Sequence, residues 1–145
     1  MSKLLILGFI VAFYPFQTIA QLDQHRWEDR VILIIAENDQ LTAYKDQIQF
    51  LSQQRVELED RNLVVYKLLM DGQSTYQENN INTTKAQKLI QNYKKKSDPF
   101  LLLLIGKDGG VKLKSTTPVS PNDLFALIDG MPMRRAEMRR KKGYK

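Results

Sequence analysis

Apolar residues along this chain follow two patterns. In the first they are nearly consecutive: Val31 to Ala36, Leu63 to Met70 and Phe100 to Ile105 are runs rich in Val, Ile and Leu. Such runs read as strands buried on both faces of a sheet. In the second they recur every three or four positions. Leu41, Tyr44, Ile48, Leu51 and Leu58 do so among Gln, Lys and Arg, as do Ala86, Leu89, Ile90 and Tyr93, and then Leu124, Phe125, Leu127 and Ile128. That spacing turns one side of a helix toward a core. Val111 to Lys114 alternates instead, as a sheet edge does.

The polar residues between these segments set their boundaries. Asp39 can cap the first helix. Asp71-Gly72 closes the second strand, and the Gln- and Asn-rich stretch Gln73 to Asn82 reads as a loop. Thr84-x-x-Gln87 has the form of a capping box, and Lys94 to Lys96 end that helix in keeping with its dipole. Pro99 introduces the most apolar strand, and Lys107-Asp108-Gly109-Gly110 predicts a hairpin turn, because Asp-Gly accepts positive φ. Ser120-Pro121-Asn122-Asp123 starts a helix. Asp129-Gly130-Met131-Pro132 interrupts it, and Met133 to Lys142 restarts it as a charged helix. The order β-α-β-α-β-β-α predicts two parallel crossovers and one antiparallel hairpin. The expected α/β fold is a thioredoxin-like, three-layer arrangement with a four-stranded mixed sheet flanked by helices.

The first twenty residues do not belong to that pattern. Lys3 precedes a charge-free apolar run, Leu4 to Phe16, and Thr18-Ile19-Ala20 places small residues where a signal peptidase reads them. The run is shorter than the roughly 20 residues a membrane span needs. Residues 1–20 are therefore expected to be a signal peptide, 21–130 the domain, and 131–145 a basic C-terminal helix or tail. Export places the protein in the periplasm or outside the cell.

Composition narrows the chemistry. The chain has no cysteine and one histidine, His25. A thiol nucleophile, a thiolate metal site, a thioether-linked haem and a disulfide are all closed to it. No cofactor is expected. Seven of the 22 Lys and Arg fall in residues 134–145 against one of the 16 acids. The rest of the chain balances at 15 of each, so the formal +6 belongs to the last twelve residues. Arg134, Arg135, Arg139, Arg140, Lys141 and Lys142 can engage phosphates, sulfates or carboxylates; the competing reading is a solvated terminus. An anionic surface polymer, or an envelope or extracellular protein, is the expected partner. Nucleic acid fits less well because the chain leaves the cytoplasm.

Three segments carry a family likeness: His25-Arg26-Trp27 with Arg30, Leu104-Ile105-Gly106-Lys107-Asp108-Gly109-Gly110-Val111-Lys112-Leu113, and Ile128-Asp129-Gly130-Met131-Pro132-Met133-Arg134-Arg135. They resemble P-DUDES, the domain-of-unknown-function family 4174, over most of residues 21–140. The resemblance implies a relative of thioredoxins and peroxiredoxins without a dependable redox motif. Such domains occur in small exported bacterial proteins and vertebrate extracellular matrix proteins. It places Asp39 and Thr42 where thioredoxins carry two cysteines, beside Pro99, which the likeness makes a candidate for a cis bond. These three residues would mark a vestigial redox site; the simpler reading is a helix cap and an exposed threonine. The expected function is a non-catalytic binding module. The alternative is a redox-family relative with residual peroxidase or reductase activity by a cysteine-independent route. His25, Arg26 and Trp27 have two readings: a cation–π or ligand-binding patch, and, as the favoured expectation, Trp27 packed over the sheet edge with the charges around it facing water.

Overall fold

The computed structural model describes residues 20–94 and 97–143. The expected leader peptide lies almost wholly outside them, as does the Lys95–Lys96 part of the expected helix end. A short 3-10 helix, Ala20–His25, leads into β1 (Arg30–Ala36). There follow α1 (Thr42–Ser52), α2 (Arg55–Asp60), β2 (Leu63–Leu69), β3 (Thr75–Tyr76), β4 (Asn79–Asn80) and α3 (Thr83–Tyr93). The chain ends with β5 (Phe100–Ile105), β6 (Val111–Ser115), α4 (Pro121–Asp129) and α5 (Pro132–Gly143).

The three strands read from apolar runs and the fourth read from alternation are all present, in one mixed sheet of order β4-β3-β2-β1-β5-β6. The sheet has six strands because residues 73–82, expected as a loop, contain the β3–β4 hairpin. Gln77 and Glu78 form its turn at φ 46° and 66°. Polar strands two residues long carry no alternation from which they could be read.

β1 and β2 are parallel, with Ala36 opposite Leu69. The second expected crossover is corrected: β5 runs antiparallel to β1, with Ala36 opposite Phe100. The chain thus leaves β2 and enters β5 at the same end of the sheet, and a strand entered from that end must oppose β2. The β3–β4 hairpin and α3 make the return trip, a detour that helical periodicity alone does not disclose.

Strand alternation sorts the core into two layers. Ile32, Ile34, Leu102 and Leu104 meet Leu51, Leu124, Phe125 and Ile128 on one face. Val31, Leu33, Ile35, Leu101 and Leu103 meet Leu22, Ala86 and Leu89 on the other. The first helical stretch is broken at Gln53-Gln54 into α1 and α2. Its side chains still converge, and Tyr44, Ile48 and Leu58 pack against the first layer. Gln47, buried in α1, clamps the backbone of Val119: its amide donates to the carbonyl at 3.1 Å and accepts from the N–H at 2.7 Å.

Two expected caps are also corrected. Leu41 occupies the N-cap of α1 with no side-chain bond, and Asp39 instead accepts from Gln40 Nε2 at 3.0 Å. α3 is capped by Asn82, whose Oδ1 accepts from Thr84 N at 2.7 Å, so Thr84 lies inside the helix. Ser120 caps α4 as its sequence predicts, accepting from Asp123 N at 3.2 Å with Pro121 opening the first turn.

Candidate functional site

α5 holds six Lys and Arg against one Glu, and the fold divides that charge between two faces. At 3.6 residues per turn, Arg134, Glu137 and Lys141 fall on one side of the helix. All three engage the domain. Arg134 is 3% exposed. Its Nε donates to Asp129 at 3.0 Å, its Nη1 to the Asp60 carbonyl at 2.7 Å and its Nη2 to the Asp60 carboxylate. Lys141 also pairs with the Asp60 carboxylate. Glu137 receives both terminal nitrogens of Arg30 at 3.2 Å and Lys107 Nζ at 2.9 Å. Arg61 completes the network with a bidentate grip on Asp129, at 3.0 and 2.7 Å, and a 2.6 Å bond to Glu57. The guanidinium of Arg61 lies 4.4 Å from the centre of the Phe125 ring.

The electrostatics follow from these contacts. Hydrogen bonds from Lys141 and Arg134 hold Asp60 down to about 2. Burial pushes Asp129 and Glu137 upward, but their cationic partners outweigh it and leave both below the ordinary carboxylate range. α5 is therefore bolted to α2, α4 and the start of β1 by charges that are neutralised where they sit.

The other side of the helix is different. Arg135, Arg139 and Lys142 stand at i, i+4 and i+7, a stripe spanning roughly 10 Å of axis. All three are exposed, as is Arg140 beside them. None of these four forms an ion pair among the described residues. Of the six tail residues singled out from sequence, two are thus consumed in fastening the helix and four face outward.

A second arrangement lies at the start of β1. His25 is buried, with Nδ1 2.7 Å from Asp29 Oδ2 and Nε2 2.9 Å from the Tyr66 hydroxyl. Gln24 and Lys85 also reach that hydroxyl, at 3.4 and 3.5 Å. With two donors already directed at the phenol oxygen, its own proton is best accepted by His25 Nε2. Burial pushes the Tyr66 phenol up to about 12, with Tyr76 and Asp29 adding to the effect. Trp27 reverses its expectation: it does not pack over the sheet edge but stands 62% exposed, at φ 68°. The buried group is its neighbour, His25.

Residues 21–137 match the family model described as Domain of unknown function (DUF4174). This chain belongs to the DUF4174 family. Coiled-coil domain-containing protein 80 of Danio rerio is 31% identical to it over 133 residues, covering 81% of this chain. The match spans only 15% of that larger protein's length. Among solved structures, a reduced 2-Cys peroxiredoxin of Plasmodium vivax superposes with a TM-score of 0.54 at 12% identity, over 79% of this chain and 84% of that one. The likeness establishes a thioredoxin-like fold for this DUF4174 domain.

Within that fold Asp39 and Thr42 are both exposed, at the turn into α1 and its first residue. Pro99 lies nearby in the backbone sense, since its carbonyl accepts from Glu37 N at 3.0 Å. Its peptide bond is trans, as all are among the described residues. No side-chain bond joins the three. A cleft of about 300 Å³ opens elsewhere, between the end of β2 and α3, lined by Leu69, Ser74, Ile81, Ala86 and Ile90 among others. None of the residues chosen from sequence lines it. Among the described residues, no group of three His, Asp or Glu is placed to hold a metal ion.

Sequence reasoning missed the burial of His25, Arg30, Arg61 and Arg134. One signal was available. Arg30 directly precedes an unbroken apolar strand, and a charge in that position needs a partner.

Proposed function

We propose that this DUF4174 domain is an exported, non-catalytic recognition module that binds an anionic surface polymer through the outward stripe of α5. The observation that carries this reading is the division of labour along one helix. Arg134 and Lys141 are spent on Asp60 and Asp129. Arg135, Arg139 and Lys142 remain exposed, ordered in space and without carboxylates of their own. A frayed basic tail would offer the same charges with no fixed spacing. A helix held at three of its turns presents them already organised, which lowers the entropic cost of association.

Two further facts agree. The absence of cysteine closes the thiolate chemistry that peroxidase or dithiol exchange requires. Outside residues 134–145 the charges balance, so attraction to a polyanion is focused on α5 rather than spread over the molecule. Export rests on the composition of residues 1–20. No helix among the described residues is long and apolar enough to cross a membrane.

The test is salt-dependent elution from immobilised heparin. Neutralising Arg135, Arg139 and Lys142 together to Gln should reduce the log–log salt slope by about three units, roughly one per lost contact. Deleting residues 134–145 is a poor substitute, because it also removes Arg134 and Glu137. Coincident elution of the triple variant and the natural chain would refute the reading.

A further inference from the structure

Trp27, the only tryptophan of the chain, is 62% exposed on a backbone with φ 68°. A bulky side chain costs free energy in that conformation, and the surroundings must hold it there. They do so from three directions. The Trp27 N–H donates to the Lys107 carbonyl at 2.7 Å. The next two N–H groups, of Glu28 and Asp29, both turn back to the His25 carbonyl, at 3.0 and 2.8 Å. The His25 ring is locked between Asp29 and Tyr66. The turn is therefore rigid, and what it presents to water is an indole.

The neighbours of that indole narrow the ligand. Arg26 is exposed and makes no ion pair among the described residues. Its guanidinium lies along the glycine turn, so close that a Cβ added at Gly109 would meet it at 3.2 Å. The carboxylate of Asp29 is occupied by His25, which leaves Glu28 as the exposed acid of this turn. A protein hot spot is an aromatic ring set in a desolvated apolar pocket. Here the chain neighbours of the ring, Arg26, Glu28 and Asp29, are all charged. α5 is tied to the same place, because Lys107, whose carbonyl holds Trp27, also pairs its ammonium with Glu137.

From this we infer that Trp27 and Arg26 form a saccharide subsite, which selects polymers of anionic sugar rings from polyanions that lack rings. The C–H face of a pyranose stacks on the electron-rich face of indole. Arg26 takes a sulfate or carboxylate of the same or the adjacent ring in a bidentate grip. The inference rests on the α5 reading and supplies what that helix lacks: cations attract any polyanion, whereas an aromatic platform requires a ring to stack on it.

The experiment uses the full mature chain with three probes: a heparin hexasaccharide, an oligomer of a uronic acid, and linear polyphosphate. Because Trp27 is the sole indole, its emission reports the subsite directly. Either saccharide should shift or quench that emission, and polyphosphate should leave it unchanged. Trp27→Ala should weaken saccharide binding roughly tenfold and leave polyphosphate binding as it was, while Trp27→Phe should recover part of the loss. Unmoved emission on saccharide binding, or an equal loss on all three probes, overturns the subsite while leaving α5 standing. If instead the Arg135, Arg139 and Lys142 triple variant binds heparin like the natural chain, the α5 reading is what fails. A protein partner that requires Trp27, with no response to any saccharide, would overturn the subsite.

Discussion

A guanidinium withdrawn from water is tolerated only where its donors meet oxygens. Arg30 is 1% exposed and has three such contacts, with the Arg61 carbonyl at 2.9 Å and both oxygens of Glu137 at 3.2 Å. Replacing it by Ala would take the two-pronged partner from Glu137, itself largely buried, and leave it Lys107 at 2.9 Å and the more distant Arg134 at 3.8 Å. Loss of one partner from a buried pair costs about 3–5 kcal/mol, and urea denaturation of Arg30→Ala should show a loss of that order. His25→Ala is expected to cost about 1–3 kcal/mol by leaving the Tyr66 phenol short of an acceptor. It should also free the turn below it, so that the fluorescence anisotropy of Trp27 falls. An unchanged anisotropy would contradict the role given to His25. At this scale the sequence was only partly legible. It showed Arg30, His25 and Trp27 as a cluster. It did not show which of them faces inward, because that depends on Tyr66 and Glu137, which lie 41 and 107 residues away.

At the scale of elements, the apolar runs and helical periods located every major strand and helix, since each is dictated by residues inside the segment. What they left open depended on something outside it. The direction of β5 follows from where residues 70–99 return. The cap of α3 is Asn82, one residue before the helix, whose Oδ1 accepts from Thr84 N. The most consequential element is α5, whose charged sequence does not announce a docked helix. Its attachment through carboxylates has a pH signature. Asp60, held to about 2, together with Asp129 and Glu137, titrates lower in the folded chain than in the unfolded one. Their contribution to stability is complete above the ordinary carboxylate range near 4. It is lost as pH falls from there toward the folded value of Asp60, about 2. Thermal melts should show the midpoint dropping over that interval. The double variant Asp60→Asn, Glu137→Gln should start lower near neutral pH and decline less steeply. Parallel declines would show that α5 is not held by these carboxylates.

For the whole molecule, the absence of cysteine closes thiolate chemistry to a fold whose relatives use it. A thioredoxin-like scaffold with Asp39 and Thr42 exposed at the mouth of α1 has no group that becomes a thiolate. Purified protein should therefore show no dithiol-dependent turnover of hydroperoxide or disulfide above background; sustained turnover would contradict the non-catalytic reading. The scaffold retains a rigid frame, charge-neutral except along α5, with a helix bolted to it on one face and bare on the other. The net charge and its location were legible from the composition of the last twelve residues. The separation of those charges into inward and outward sets required the partners Asp60 and Asp129, which no local pattern connects to the tail.

The most direct measurement is a residue-resolved titration of the folded chain by nuclear magnetic resonance, with a heparin oligosaccharide as the probe. The outward stripe predicts that signals of Arg135, Arg139 and Lys142 move and saturate together, while those of Arg134 and Lys141 keep their ion-paired positions. Shifts confined to other surfaces, or none at concentrations that elute the protein from heparin, would contradict it.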